Sequence, residues 1–179
     1  TDKPDLRWGM DMVDLSDAVA ESELPLFRKA LDQGGRVRGI RVEGAAALEE
    51  ATMEELQRIS RREGAEGVLW LAVEGDGFRS PFARCLHPEI LARLQVCLEA
   101  EVGDMLLVVA GDETTVARTL DRLRREMGRW LGLDDDGTLA FAWIVDFPLF
   151  AWNEAAERWG AEHHPFTRPK PEDLPRLAS

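Results

Sequence analysis

Basic residues are scarce in this chain. Its 22 lysines and arginines stand against 34 aspartates and glutamates, a formal net charge of −12 over 179 residues. Contact with a phosphate backbone needs a basic surface, so this balance argues against intrinsic affinity for a polyanion. Any nucleic-acid role is confined to a local basic patch or to a partner. Cysteine is scarcer still. Cys85 and Cys97 make neither a disulfide framework nor a zinc site, and are expected to be buried thiols in a reducing compartment. Three histidines, two of them adjacent, do not complete a metal set. No apolar stretch approaches the roughly 20 residues of a membrane span. The first residues lack the charged and apolar regions of a secretory signal. A soluble, cytoplasmic protein with no membrane partner is expected. The glycine pairs Gly34-Gly35 and Gly75–Gly77 are not followed by the lysine and hydroxyl residue of a phosphate loop. No Ser/His/Asp or Cys/His order is present, and neither is an internal repeat.

A chain of this length buries a real core and holds one domain, with room for an appendage. Residues 2–9 are polar and turn-rich. Ser16 is a candidate N-cap for a short helix through Glu21, and Leu24–Phe27 has the composition of a short strand. After the Gly34-Gly35 break, Arg36–Glu43 alternates as a strand. Val37, Gly39 and Arg41 share one of its faces, Ile40 and Val42 the other. Thr52 and Glu55 form a capping box for a helix lined by Met53, Leu56 and Ile59, with Gly64 as its left-handed stop. Gly67–Val73 and Met105–Ala110 are apolar runs of strand length. Between them, Ser80-Pro81 can open a helical turn, and His87-Pro88 a helix that buries Ile90, Leu91, Leu94 and Leu98. Asp112 caps the clearest helix, which runs to Leu131 before Gly132. Its apolar stripe is Val116, Leu120, Leu123, Met127 and Trp130. Residues 134–137 read as a turn, Leu139–Val145 as a strand, and 152–158 as a polar excursion with hairpin character before a returning strand at Trp159–His163. Pro165, Pro169, Pro171 and Pro175 predict loop for the tail. Interleaved strands and helices make the class α/β or α+β. The spacing from Arg36 to Val73 fits either a parallel pair or a split arrangement.

Few residues carry chemistry. His163 and His164 precede Pro165, and adjacent strand side chains point in different directions, so one imidazole can face a carboxylate. An anion would favour its charged form and make binding pH-sensitive. Spacing alone favours two loop histidines bonded to backbone. Asp146-Phe-Pro148 reads as a strand-terminal turn. Arg118, Arg122, Arg125 and Arg129 share a helix face, but Asp121–Arg125 and Arg122–Glu126 are ordinary helix pairs, so a solvated face is expected. The tryptophans read as core, with Trp70 and Trp143 in strands and Trp130 on the helical stripe.

Longer motifs add to this. WIVDFPLF at 143–150, HHPFTRPK at 163–170 and DKPDLR at 2–7 resemble segments of the catalytic domain of bacterial-type aspartyl-tRNA synthetases. In that family the class II catalytic domain is interrupted by an inserted GAD domain. GAEGVLWL at 64–71 resembles the signature of that module, and Phe82–Arg84 and Gly103–Met105 fall where it would place them. The resemblance covers the whole chain. It implies an α+β fold, a mixed and mostly antiparallel sheet with flanking helices, joined to strands of the catalytic domain. It assigns residues 1–14 and 138–179 to the catalytic domain and 15–137 to the module. The core of the module would lie at 24–111 and its return helix at 112–132.

The resemblance also implies a function. The parent enzyme would activate aspartate with ATP and Mg²⁺, transfer it to tRNA, and act as a homodimer. His163 would contact the aspartate, with His164 beside the same pocket. Asp2, Lys3, Asp5 and Arg7 would form a loop near the active-site mouth or the tRNA acceptor end. The motifs with the ATP-contacting arginines are expected before Thr1 and after Ser179. Phosphoryl chemistry depends on positioning and charge stabilisation, so the fragment alone is expected to be inactive and to need no cofactor. The alternative reading is a noncatalytic GAD module, acting as a tRNA-proximal or structural interaction unit.

Overall fold

The computed structural model describes residues 6–133, 137, 139–143, 145, 148, 150–153, 156–162 and 170–178. The chain divides near Ala140 into two compact units.

The first unit is built on a five-stranded sheet. Its strands are β1 (Val13–Asp14), β2 (Arg36–Val42), β3 (Leu69–Glu74), β4 (Gly77–Arg79) and β5 (Met105–Gly111). They lie in the order β1-β2-β5-β3-β4, and every neighbouring pair is antiparallel. β2 and β3 therefore run parallel to each other but on opposite sides of β5, the split arrangement rather than the adjacent parallel pair. Three helices connect the strands, α1 (Pro25–Asp32), α2 (Glu50–Arg62) and α3 (Pro88–Cys97), and α4 (Glu113–Trp130) follows β5. This is the α+β class that the resemblance implies.

Alternation along the strands builds two cores. Ile40, Val42, Trp70, Ala72, Leu107 and Val109 face α2 and α4, which contribute Met53, Leu56, Ile59, Val116, Leu120, Leu123 and Met127. Val37, Leu69, Leu71, Val73, Leu106 and Val108 face the opposite way, toward Phe27 and Ala30 of α1 and Ile90 and Leu94 of α3. With helices on both faces, central strands lose the polar side of the alternation and become continuous apolar runs. That is why Met105–Ala110 has no polar residue and every one of those residues is buried.

Several local expectations need correction. Leu24–Phe27 is not a strand. Pro25 occupies the first helical turn, where a missing N–H costs nothing, and Leu26, Phe27, Ala30 and Leu31 then recur at helical spacing. Ser16 caps no helix. Residues 16–21 form turns, and the Ser16 hydroxyl accepts from the Val37 N–H at 3.1 Å, tying the chain to β2. Thr52 is not an N-cap either. α2 begins at Glu50, so Thr52 lies inside it and donates its N–H to the Glu49 carbonyl. Gly64 does stop α2, at φ 95°, with the Ala65 N–H returning to the Ser60 carbonyl. Ser80-Pro81 leads into a single 3₁₀ turn, Ala83–Cys85. Both cysteines are exposed rather than buried. Trp130 is 38% exposed because it is the last residue of α4, beyond the reach of the sheet.

The second unit is smaller. β6 (Phe150–Asn153) and β7 (Arg158–Ala161) form an antiparallel hairpin in which Trp152 opposes Trp159. Their rings meet edge to face, 5.7 Å between centroids. The described residues among 139–145 are in no strand, and Trp143 is 94% exposed. A strand needs a hydrogen-bonding neighbour, and none pairs with this segment among the described residues. Pro171–Ala178 is a 3₁₀ helix rather than the expected loop. Asp146 and His163 lie outside the described residues, so the turn at 146–148 and the end of the returning strand stay expectations. Among the described residues, no helix is long and apolar enough to cross a membrane.

Two predictions follow from the joints of the first unit. A Cβ at Gly35 would lie against the Gly111 carbonyl and 2.9 Å from the Ala30 carbonyl oxygen, both rigid backbone. At Gly34 it would meet open space and only the strain of φ 74°. Gly35→Ala should therefore cost about 3 kcal/mol, the upper end of overpacking, and Gly34→Ala about 1 kcal/mol. Urea unfolding of the two variants checks the order, and equal midpoints would refute the packing argument. The second concerns Asp112, whose carboxylate accepts the Thr115 N–H at 2.9 Å as the cap of α4. Hydrogen bonds from the Thr115 side chain and then its N–H hold the Asp112 carboxyl below the ordinary range. Asp112→Ala should cost about 1 kcal/mol at neutral pH. Because the folded state prefers the charged form, the contribution is present above the carboxyl's unfolded pKa and is lost as pH falls through the lower, folded value. Asp112→Asn, which keeps an acceptor, should cost less and remove that pH dependence. Thermal unfolding as a function of pH measures both.

Candidate functional site

Of the site residues that the resemblance implies, Arg7 alone is described. It is exposed on the 3₁₀ turn Leu6–Trp8 that leads into the first unit. Asp2, Lys3, Asp5, His163 and His164 lie outside the described residues. The geometry that can be built from residues is therefore that of the incoming segment and of the arginine-rich helix α4.

Trp8 lies against α4. Its indole covers Gly128 so closely that a Cβ there would sit 2.9 Å from the ring. The Arg124 guanidinium stands 5.8 Å from the centre of the same ring and donates to the Gly9 carbonyl at 3.0 Å. A glycine inside a helix costs up to about 1 kcal/mol relative to alanine. Here it makes room for an aromatic ring. Arg124 is only 6% exposed. Its packing against an aromatic face and its bond to a carbonyl offset burial of the charge. The turn after Trp8 places Gly9 at φ 62° and Met10 at φ 53°, and Met10 then enters the core. For a residue with a Cβ that conformation costs about 1–2 kcal/mol. Sequence reasoning missed this junction. Its one legible signal is that Arg124 follows Leu120 by one helical turn and so lies on the buried side of α4, beside Leu120, Leu123 and Met127.

Every arginine of the basic stripe is paired. Arg118 pairs with Glu63 at 3.4 Å, Arg122 with Glu126 at 2.6 Å, Arg129 with Glu126 at 3.0 Å, and Arg125 with Asp121. Glu126 is 5% exposed and answers two of the four cations. The stripe is a solvated, paired face, as its i, i+4 partners imply, with four arginines set against three carboxylates.

Elsewhere the described surface includes shallow clefts. One, of about 490 Å³, brings Cys85 and His87 to the same rim, beside Glu21 and Arg84. The two do not make a nucleophile and base. The His87 Nδ1 is taken up in accepting the Glu89 N–H at 3.4 Å, as the N-cap of α3. A second, of about 510 Å³ beside Val96 and Cys97, is almost wholly apolar. A third, of about 200 Å³, lies between α1 and the start of α4, and its Lys29 pairs with Glu66. Among the described residues, no group of three or more His, Cys, Asp or Glu could hold a metal ion. None is therefore assigned to Mg²⁺.

Comparison with known proteins places this geometry. The family model of the GAD domain matches residues 27–120, more than half of the chain. The chain is 46% identical over 177 residues to the aspartate–tRNA(Asp/Asn) ligase of Thermoanaerobacter sp. (strain X514), covering 99% of this chain. It is 44% identical over 179 residues to the aspartate–tRNA(Asp/Asn) ligase of Moorella thermoacetica, and 39% identical over 178 residues to the aspartate–tRNA ligase of Exiguobacterium sibiricum. In each case it spans 30% of the relative's length. A sheet with β5 at its centre, closed by α4, is thus the module of a known family, and similarity to aspartate–tRNA ligases continues beyond that module on both sides: the chain belongs to the GAD domain family.

Proposed function

We propose that this chain is the middle of an aspartate–tRNA ligase, with the GAD module inserted between two pieces of the catalytic domain. The observation that carries the proposal is the mismatch of two extents. The GAD match stops at residues 27 and 120, whereas similarity to the ligases runs over 177 residues of the chain. Whatever flanks the module therefore belongs to the ligase as well. Residues 15–137 are the module, and residues 1–14 and 138–179 belong to the catalytic domain. The seal of α4 supports the outer boundary: the Gly132 N–H donates to the Arg129 carbonyl at 3.2 Å and the Leu133 N–H to the Gly128 carbonyl at 2.9 Å.

The parent enzyme activates aspartate with ATP and Mg²⁺, in a cytoplasmic, homodimeric ligase, and passes it to tRNA. Its His163 meets a carboxylate of the aspartate with a charge-assisted hydrogen bond, His164 flanks the same pocket, and the loop of Asp2, Lys3, Asp5 and Arg7 lies near the mouth of that site or the tRNA acceptor end. ATP supplies the activated phosphoryl centre and Mg²⁺ offsets its charge, both held by residues outside this chain. The net charge of −12 and the paired stripe on α4 support a module that does not itself grip the tRNA backbone.

Aspartate-dependent pyrophosphate exchange tests this reading. The full-length ligase should exchange, and the 179-residue chain alone should not; turnover by the chain above background would overturn the assignment of the ATP-clamping residues to other segments. In the full-length ligase, His163→Ala should lower kcat/KM for aspartate roughly 10- to 150-fold, the cost of one charge-assisted hydrogen bond, with little change in the KM for ATP. An unchanged kcat/KM for aspartate would remove His163 from the substrate site.

A further inference from the structure

We propose that Trp8, Arg124 and Gly128 form a latch that ties the segment entering the GAD module to the helix leaving it, and that this latch opens as a unit. Gly128 is the shared point. Its Cα side receives the Trp8 ring, where a Cβ would come within 2.9 Å of the indole. Its carbonyl accepts the Leu133 N–H at 2.9 Å and so seals the turn that carries the chain away, with Gly132 at φ 65°. Incoming and outgoing segments thus bear on one residue. Arg124, one turn earlier, adds the second tie through the Gly9 carbonyl and the face of the same ring.

The latch is built to be marginal. The Trp8 Nε1 is buried and has no hydrogen-bond acceptor among the described residues. Lifting the ring returns that donor to water. Met10, held at φ 53°, is released from a backbone region that side chains avoid. The Leu6–Trp8 turn contributes no buried residue to hold the segment down. Against these stand the Arg124–Gly9 hydrogen bond, the cation–π contact, the buried Met10 side chain and the area of the indole. Local openings of this kind are expected where few buried contacts secure a segment.

The consequence rests on the proposed insertion of the module in a ligase. With Trp8 seated, the incoming segment moves with α4. With Trp8 lifted, the two segments by which the module would join the ligase move independently. The latch lies wholly within the first unit, so it can be tested without any ligase activity.

Solvent exchange followed by NMR in the 179-residue chain reads it directly. In the unaltered chain, the Trp8 indole N–H and the Gly132 and Leu133 amides should share one opening free energy and one dependence on denaturant. Gly128→Ala, although alanine is the better helix former, should speed exchange of the Trp8 indole at least about tenfold, as should Arg124→Met. Trp8→Ala should speed the Gly132 and Leu133 amides by a similar factor, while the Leu107 and Val108 amides keep their rates. Different opening free energies for the indole and the two amides in the unaltered chain would overturn the proposal even if every variant misfolded. So would wild-type rates at Gly132 and Leu133 in a folded Trp8→Ala chain. Pyrophosphate exchange by the full-length ligase is independent of these rates, so failure of either reading leaves the other standing.

Discussion

β5 is bonded along both edges and covered on both faces. Its residues Met105–Val108 pair with β2 on one side and β3 on the other, while Leu106 and Val108 face α1 and α3 and Leu107 and Val109 face α2 and α4. A strand in that position has no route to water for any backbone group, so all of its polar atoms must be satisfied by neighbours. Fully burying one Leu or Val side chain is worth about 1.5–3 kcal/mol. The strand contributes such side chains to both cores at once. β2 and β3, which never touch, are held in register only through it.

The corner before β5 shows how that constraint spreads. Asp104 is 4% exposed, yet its two oxygens accept the Gly44 and Glu101 N–H groups, each at 3.0 Å, and Arg41 stands 3.9 Å away. The turn after β2 and the loop after α3 are thereby pinned to the start of the central strand. At the opposite edge, Asp14 does similar work for β1. Burial pushes its carboxyl up, but the Ser16 hydrogen bonds and the charges of Arg38 and Arg36 outweigh that and hold it below the ordinary range. The stem of Trp8, Arg124 and Gly128 is the third such joint, and the least satisfied of the three.

What could be read from the residues alone follows from which forces were local. Met105–Ala110, the Asp112 cap and the Gly64 and Gly132 stops were legible because continuous apolarity, an aspartate before a periodic helix and a left-handed glycine each have one strong local solution. The strand order was not, since β2 and β3 meet only through a strand more than thirty residues downstream of β3. Leu24–Phe27 was misread because four apolar residues carry no period, and the proline that fixes them as a helix start acts through its missing N–H. The exposed Trp143 shows the opposite limit. Its sequence context is that of a strand, but a strand is defined by its neighbour. For the site, the histidine pair was legible only through family motifs, and Asp2, Lys3, Asp5, His163 and His164 lie outside the described residues. The Trp8–Arg124 contact was illegible because it joins residues 116 positions apart through a glycine, whose role is to be absent.

These joints describe a module that can sit inside a larger enzyme because its own core is closed. Both faces of the sheet are covered from within residues 6–133, so nothing in that core waits for a neighbouring segment. The most direct measurement is native-state hydrogen exchange at Leu106, Leu107, Val108 and Val109 in the 179-residue chain, set against the free energy of global unfolding from a urea melt of the first unit. If β5 is the element on which the module depends, all four amides exchange only through that global unfolding, at the same free energy and with the same urea dependence. Exchange of these amides through a smaller opening, while β2 and β3 keep their protection, would contradict the account.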